Sequence, residues 1–127
     1  MKQRTYSGSR WEEQAAYCRA VRAGRFIAVS GTTAVDGNGN VVGGDSVYAQ
    51  ASFVFAKIQG ALEELGVSMK DVVRTRTFLT DMARFEGFAR AHRETFRGID
   101  PAATCVEVSR LVDDRLLIEI EVDALLP

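Results

Sequence analysis

Three acidic residues, Glu119, Glu121 and Asp123, recur at alternate positions in the apolar run from Leu116 to Ala124. In a strand, a period of two puts them on one face with Leu117, opposite Leu116, Ile118, Ile120 and Val122. A carboxylate on such a face can act as a general base toward water or pass a proton to a ligand nitrogen. The plainer expectation is a solvated acidic face. Arg74 and Arg76 alternate in the same way between Asp71 and Thr80, with Phe78 on their side and Val73, Thr75, Thr77 and Leu79 on the other. Two guanidiniums on one strand face either pair with acidic groups of a neighbouring subunit or grip an anionic ligand. The one histidine, His92, falls at helical spacing among Phe85, Phe88, Ala89 and Phe96. At such a position a histidine is a packed, hydrogen-bonded residue, and its pKa range leaves a proton-transfer role open. No histidine is placed to activate Cys105 as a thiolate. No clustered His/Cys ligand spacing exists, so no metal is expected.

These groups must be held by a single domain, 1–127, because 127 residues fit one domain. That length buries a core without disulfides or metal. Hydrophobic residues make up 46% and charged residues 26%, the balance of an ordinary globular protein. The net charge of −1 carries no basic patch for a phosphate backbone, so no nucleic-acid partner is expected. No apolar run approaches the length of a membrane span. The stretch from Met1 to Gln14 is polar and lacks the apolar centre of a signal peptide. The expectation is a cytoplasmic protein with no membrane partner.

The spacing predicts a strand from Tyr17 to Gly24, a turn at Ala23-Gly24, and a second strand from Arg25 to Ser30 that closes a hairpin. The run Asp36-Gly37-Asn38-Gly39-Asn40 is the strongest turn signal. Asp45 is placed to cap a helix starting at Ser46, with Ala51, Val54, Phe55, Ile58, Ala61, Leu62 and Leu65 on its buried stripe and Gly66 as its stop. Phe53 falls off that stripe. Asp81 is placed to cap the second helix, and strands follow from Ala103 to Val108 and from Leu116 to Ala124. The order is β-β-α-β-α-β-β, with room for one more N-terminal strand. This implies an α/β (α+β) fold, a sheet with both helices on one face. The other face, with Arg74, Arg76 and Phe78, is too mixed for plain solvent and implies burial between copies of the chain.

Tyr17-Cys18-Arg19-Ala20-Val21 followed by Ile27-Ala28-Val29-Ser30-Gly31 resembles the hairpin of the Rid (YjgF-type) superfamily. Asp71 to Arg76 followed by Thr80-Asp81 resembles its central strand. Pro101-Ala102, Cys105 to Val108 and Ile118 to Glu121 resemble its C-terminal strands, in the family's order and spacing. The resemblance implies a chorismate-mutase-like fold with a mixed sheet. It also implies a homotrimer with a central barrel and small-molecule clefts between subunits. It implies hydrolysis of reactive enamines or imines, such as 2-aminoacrylate, to a 2-keto acid and ammonia, without cofactor or metal. It makes Glu119 the carboxylate that orients water, and Tyr17, Ser30 and Cys105 residues of the cleft. Glu107, on a nearby strand of the resembling fold, becomes a partner for Arg74 or Arg76, and Arg76 a candidate anion grip.

The chain departs from that pattern at two positions. The deaminase members carry an arginine directly after the Pro-Ala pair, where this chain has Ala103, and an asparagine on the second helix at a position matching Ala89. A guanidinium fork is the natural partner of a carboxylate, so the substrate grip is altered. With these departures the resemblance implies an enamine/imine deaminase-type hydrolase with a changed ligand, a divergent subgroup of the family. The alternative is a non-catalytic metabolite-binding or sensing protein on the same scaffold. A third reading attached to the family, endoribonuclease, is disfavoured by the near-neutral charge and the single histidine.

Overall fold

A computed structural model describes residues 1–127. The order is β1 (Lys2–Thr5), α1 (Arg10–Ala15), β2 (Ala20–Ala23), β3 (Phe26–Thr33), α2 (Val47–Glu64), β4 (Val72–Leu79), α3 (Phe85–Phe96), β5 (Ala102–Glu107) and β6 (Ile118–Leu125). One six-stranded sheet runs β1-β2-β3-β6-β4-β5. It is mixed, because β4 and β5 are parallel and the other neighbours are antiparallel. The parallel pair follows from α3, which carries the chain back to the start of the sheet between those strands.

α2 forms where the 3.6-residue apolar period predicts it, and Ala51, Val54, Phe55, Ile58, Ala61 and Leu62 are all buried. It packs on β3 and β6, and α3 packs beside it. Ser46 rather than Asp45 is the N-cap, its hydroxyl accepting the Ala49 N–H at 3.1 Å. Asp81 caps a short 3-10 turn at Met82–Arg84, so α3 proper begins only at Phe85. Phe85 is exposed, while Phe88, Ala91 and Phe96 form the buried face of α3.

The expected strand from Tyr17 is shorter than its spacing suggests. α1, which has no long apolar period, ends at Ala16 in the left-handed region with φ 60°. Tyr17, Cys18 and Arg19 therefore form a connecting segment, and pairing with β3 begins at Ala20. In β4 the alternation holds for Thr75, Thr77 and Leu79, which are buried. A register shift between Val72 and Arg74 puts Val72 inward and leaves Val73 exposed, contrary to the simple period of two. β6 keeps its alternation, with Ile118, Ile120 and Val122 in the core and Glu119, Glu121 and Asp123 on the face away from the helices.

Candidate functional site

The Ser30-Gly31 step of β3 is the first structural peculiarity. Val29 pairs with Val122 and Thr32 with Ile120, so one extra residue lies on β3 between these pairs. Such a bulge re-aims side chains at the sheet surface. The segment preceding β2 is laced to it: the Ser30 N–H donates to the Arg19 carbonyl at 3.0 Å, the Ser30 hydroxyl to the Cys18 carbonyl at 2.8 Å, and Arg19 Nη2 to the Gly31 carbonyl at 2.8 Å. Ser30 is thereby a bracing residue of the bulge. Tyr17 follows in the same segment, partly exposed, with its ring centroid 6.0 Å from the Arg19 guanidinium carbon.

Glu119 lies directly on this bulge. A Cβ built on Gly31 would overlap Glu119 Oε2 and stand 3.0 Å from its Cδ. Gly31 is not in the left-handed region, so glycine is required here by close approach and not by backbone conformation. Glu119 is half-buried. Burial is the main force pushing its pKa above the usual carboxyl value; Arg19 acts in the opposite direction and Glu121 adds to the rise. Its neighbours on the same face are engaged elsewhere: Arg76 Nη1 lies 3.0 Å from Asp123 and 3.4 Å from Glu121. The β4–β6 register, which places Arg76 opposite Glu121, makes that pairing local. The sequence could not reveal it and offered Glu107 as a partner. Glu107 instead accepts the Met82 N–H at 2.8 Å and steadies the turn into α3.

Cys105 belongs to a different place. It is level with Thr77 on β4 and packs against the core, so it faces the helix side of the sheet. Burial raises its pKa, which keeps the thiol protonated near neutral pH. Ala103 shares that face, level with Thr75, and is exposed. The Thr75 hydroxyl is 2.9 Å from His92 Nε2. His92 sits edge-on to Phe55 and Phe88 and beside Phe96, and desolvation lowers its pKa. It is a packed residue, as its position on the helix predicts. Beyond it, a cavity of about 410 Å³ opens at the end of α3, lined by His92, Arg93, Phe96, Arg97, Asp100 and Pro101.

The candidate residues therefore fall into two groups within one chain. Ser30 and Glu119 lie on the β3–β6 seam, with Tyr17 beside Arg19 in the segment laced to it, while Cys105 and Ala103 lie on edge strand β5, facing the other side of the sheet. β4 stands between β6 and β5, a separation of about 10 Å by strand spacing alone. Sequence reasoning missed Glu12, Arg19 and Gly31. Glu12 is only 4% exposed, accepts both the N–H and the hydroxyl of Ser7, and lies 3.9 Å from Arg19 Nε. No local period marks such a pair, because its members come from α1 and from the segment after it.

Residues 8–126 match the protein family described as Endoribonuclease L-PSP. An uncharacterized protein of Streptomyces coelicolor is 37% identical over 121 residues, covering 95% of this chain and 90% of that one. The 2-iminobutanoate/2-iminopropanoate deaminase of Salmonella typhimurium is 33% identical over 116 residues, covering 86% of this chain and 84% of that one. The crystal structure of a YjgF-family protein from Mycobacterium tuberculosis superposes with a TM-score of 0.91 at 36% identity, covering 99% of this chain and 100% of that one. The chain belongs to the Rid/YjgF superfamily. The sheet order, the two helices on one face and the parallel β4–β5 pair are those of a Rid fold. No helix is long and apolar enough to cross a membrane.

Proposed function

We propose that this Rid protein hydrolyses a small imine or enamine without a cofactor, in clefts that each use residues of two subunits of a homotrimer. The observation that carries this reading is the seating of Glu119 against Gly31, half-buried and outside the Arg76 pairing that engages Glu121 and Asp123. A carboxylate so held can accept a proton from water as the water oxygen bonds to the imine carbon. That proton passes to the nitrogen, giving a carbinolamine; the same carboxylate then takes the hydroxyl proton and returns it to the amine, so that the C–N bond breaks, ammonia leaves and a carbonyl remains. The Salmonella relative is named for the same class of reaction on 2-iminobutanoate and 2-iminopropanoate.

The second subunit is argued from the open sheet face. Phe26, Val73, Val106 and Leu125 are all more than 40% exposed there, beside Phe78 and the Arg76 ion pairs. An apolar and charged face of this kind is covered by another copy more readily than by water. A third subunit closes the ring. Light scattering at micromolar concentration is expected to give about three times the 13.9 kDa chain mass; a monomer would remove the interfacial cleft.

The name of the family model mentions an endoribonuclease. Its chemistry finds little support in a chain of net charge −1 whose single histidine is packed among phenylalanines. Ligand capture without turnover is the more serious alternative, because Ala103 and Ala89 offer no side-chain polar group to the ligand.

Glu119→Gln separates these readings. Glutamine keeps size and most hydrogen bonding but accepts no proton, so hydrolysis is expected to fall by about 100-fold or more while ligand binding and trimer mass persist. The same variant has a stability signature. The folded protein holds the Glu119 proton more tightly than the unfolded chain, so the stability contribution is full below the unfolded pKa of about 4.3 and is lost as pH rises through the folded value. Glu119→Gln is therefore expected to melt above the parent at pH 7, with the gap closing toward pH 4. Full activity in Glu119→Gln would place the chemistry elsewhere.

A further inference from the structure

We propose that Arg19 is a positioning residue, which holds the Gly31 ledge under Glu119 and supplies the positive field in which that carboxylate works. The inference rests on the reading of Glu119 as the working carboxylate. Its first support is geometric. Arg19 is a nearly buried guanidinium, its side chain only 12% exposed. Its backbone N–H donates to the Thr5 carbonyl at 2.8 Å and its carbonyl accepts the Ser30 N–H. Its Nη2 donates to the carbonyl of Gly31, the residue on which Glu119 rests. One residue thus ties β1, the connecting segment and the bulge together at the point of contact with Glu119.

The second support is the imperfect pairing of the charge. Arg19 Nε is buried and has no hydrogen-bond partner, and the Glu12 carboxylate stands 3.9 Å away instead of closing on it. Ser7 fixes Glu12 through two hydrogen bonds, so the carboxylate is held at that distance. A buried guanidinium with an idle donor is costly for folding and would be replaced with little loss by an apolar side chain if packing were its only purpose. Its positive charge is consequently only partly neutralised, and it stands one hydrogen bond from the Gly31 ledge on which Glu119 rests. Burial sets the upward push on the Glu119 pKa, and Arg19 is the one group acting against it.

The other groups around Glu119 do not take over this part. On β4, Phe78 stands opposite Glu119, and Arg76 is committed to Glu121 and Asp123. On β6, Glu121 pushes in the opposite sense. On β3, Thr33 pairs with Glu119 and carries no charge. Lys57 of α2 donates to the Thr33 and Val35 carbonyls at 3.1 and 2.8 Å. Burial and the nearby Arg19 both lower its pKa.

The test is a carboxyl-carbon NMR titration of Glu119 in the full-length protein, its signal assigned by absence in Glu119→Gln. Arg19→Gln is expected to make Glu119 bind its proton about tenfold more tightly. Arg19→Lys, which keeps the charge, is expected to restore most of the parent behaviour. Glu12→Gln, which removes the opposing charge, is expected to weaken proton binding at Glu119, the opposite direction. If Arg19→Gln does not fold, the Lys and Glu12 variants still decide the sign. A merely structural Arg19 would lower the melting temperature and leave the Glu119 titration unmoved in the folded variants, and that result would overturn the proposal. The titration needs no turnover, so an active Glu119→Gln would sink the hydrolytic reading while leaving this coupling measurable.

Discussion

Placing arginine at Ala103 is expected to raise ammonia release from 2-aminoacrylate generated in solution by about ten- to a hundredfold, from a weak or absent parent rate. Charge-assisted hydrogen bonds of this kind contribute roughly 1.5–3 kcal/mol, and each 1.36 kcal/mol is about tenfold in rate. The structure offers room for the change. Ala103 is exposed on edge strand β5, level with Thr75 and two residues from Cys105 on the same face. An arginine at this exposed position starts from solvent-accessible space, and its fork can hold a carboxylate with two parallel hydrogen bonds. The binding term should appear chiefly as a lower KM if the carboxylate is held equally in ground and transition states. A parent protein already as fast as the variant would show that this chain grips its substrate by other means.

Gly31→Ala is expected to remove about 100-fold or more of that activity, measured in the Ala103→Arg background, while leaving the protein folded. The new Cβ would occupy the place of Glu119 Oε2. The backbone at Gly31 does not lie in the left-handed region, so alanine itself is tolerated and the clash alone acts. Glu119 must swing off the bulge, and a misplacement of about 1 Å in a catalytic group can cost about 100-fold. The accompanying loss of stability should stay within about 1–3 kcal/mol, the usual range for overpacking. Unchanged turnover in Gly31→Ala would mean that the seating of Glu119 does not matter.

The two variants act on residues of unequal legibility. Ala103 stood out in the sequence through the Rid pattern, because a missing arginine after Pro101-Ala102 is a local feature. The stripe of α2 and the acidic face of β6 were equally legible, since each follows from a short-range period. The bulge at Ser30-Gly31 was not, because an inserted residue shows only when the partner register with β6 is known. The same dependence on register hid the Arg76 pairing with Glu121 and Asp123, and made Val73 look like a core residue. By its period alone Arg19 is one more residue of a strand from Tyr17. Its role depends on α1 ending at Ala16 and on a carboxylate from Glu12 in that helix. Such contacts arise between elements, and a single sequence carries no period that announces them.

Subunit mixing tests whether the β3–β6 seam of one subunit and β5 of another form one cleft. Glu119→Gln and Cys105→Trp, each in the Ala103→Arg background, are expected to be inactive as separate trimers, the first for want of the base and the second through a blocked cleft. Co-expressed in equal amounts, they should assort at random around the ring. Roughly a quarter of the clefts would then combine an intact Glu119 from one subunit with an intact β5 from another. Ammonia release is expected at about that fraction of the Ala103→Arg rate. Mixed trimers, verified by mass, that remain as inactive as their parents would contradict a site shared between subunits.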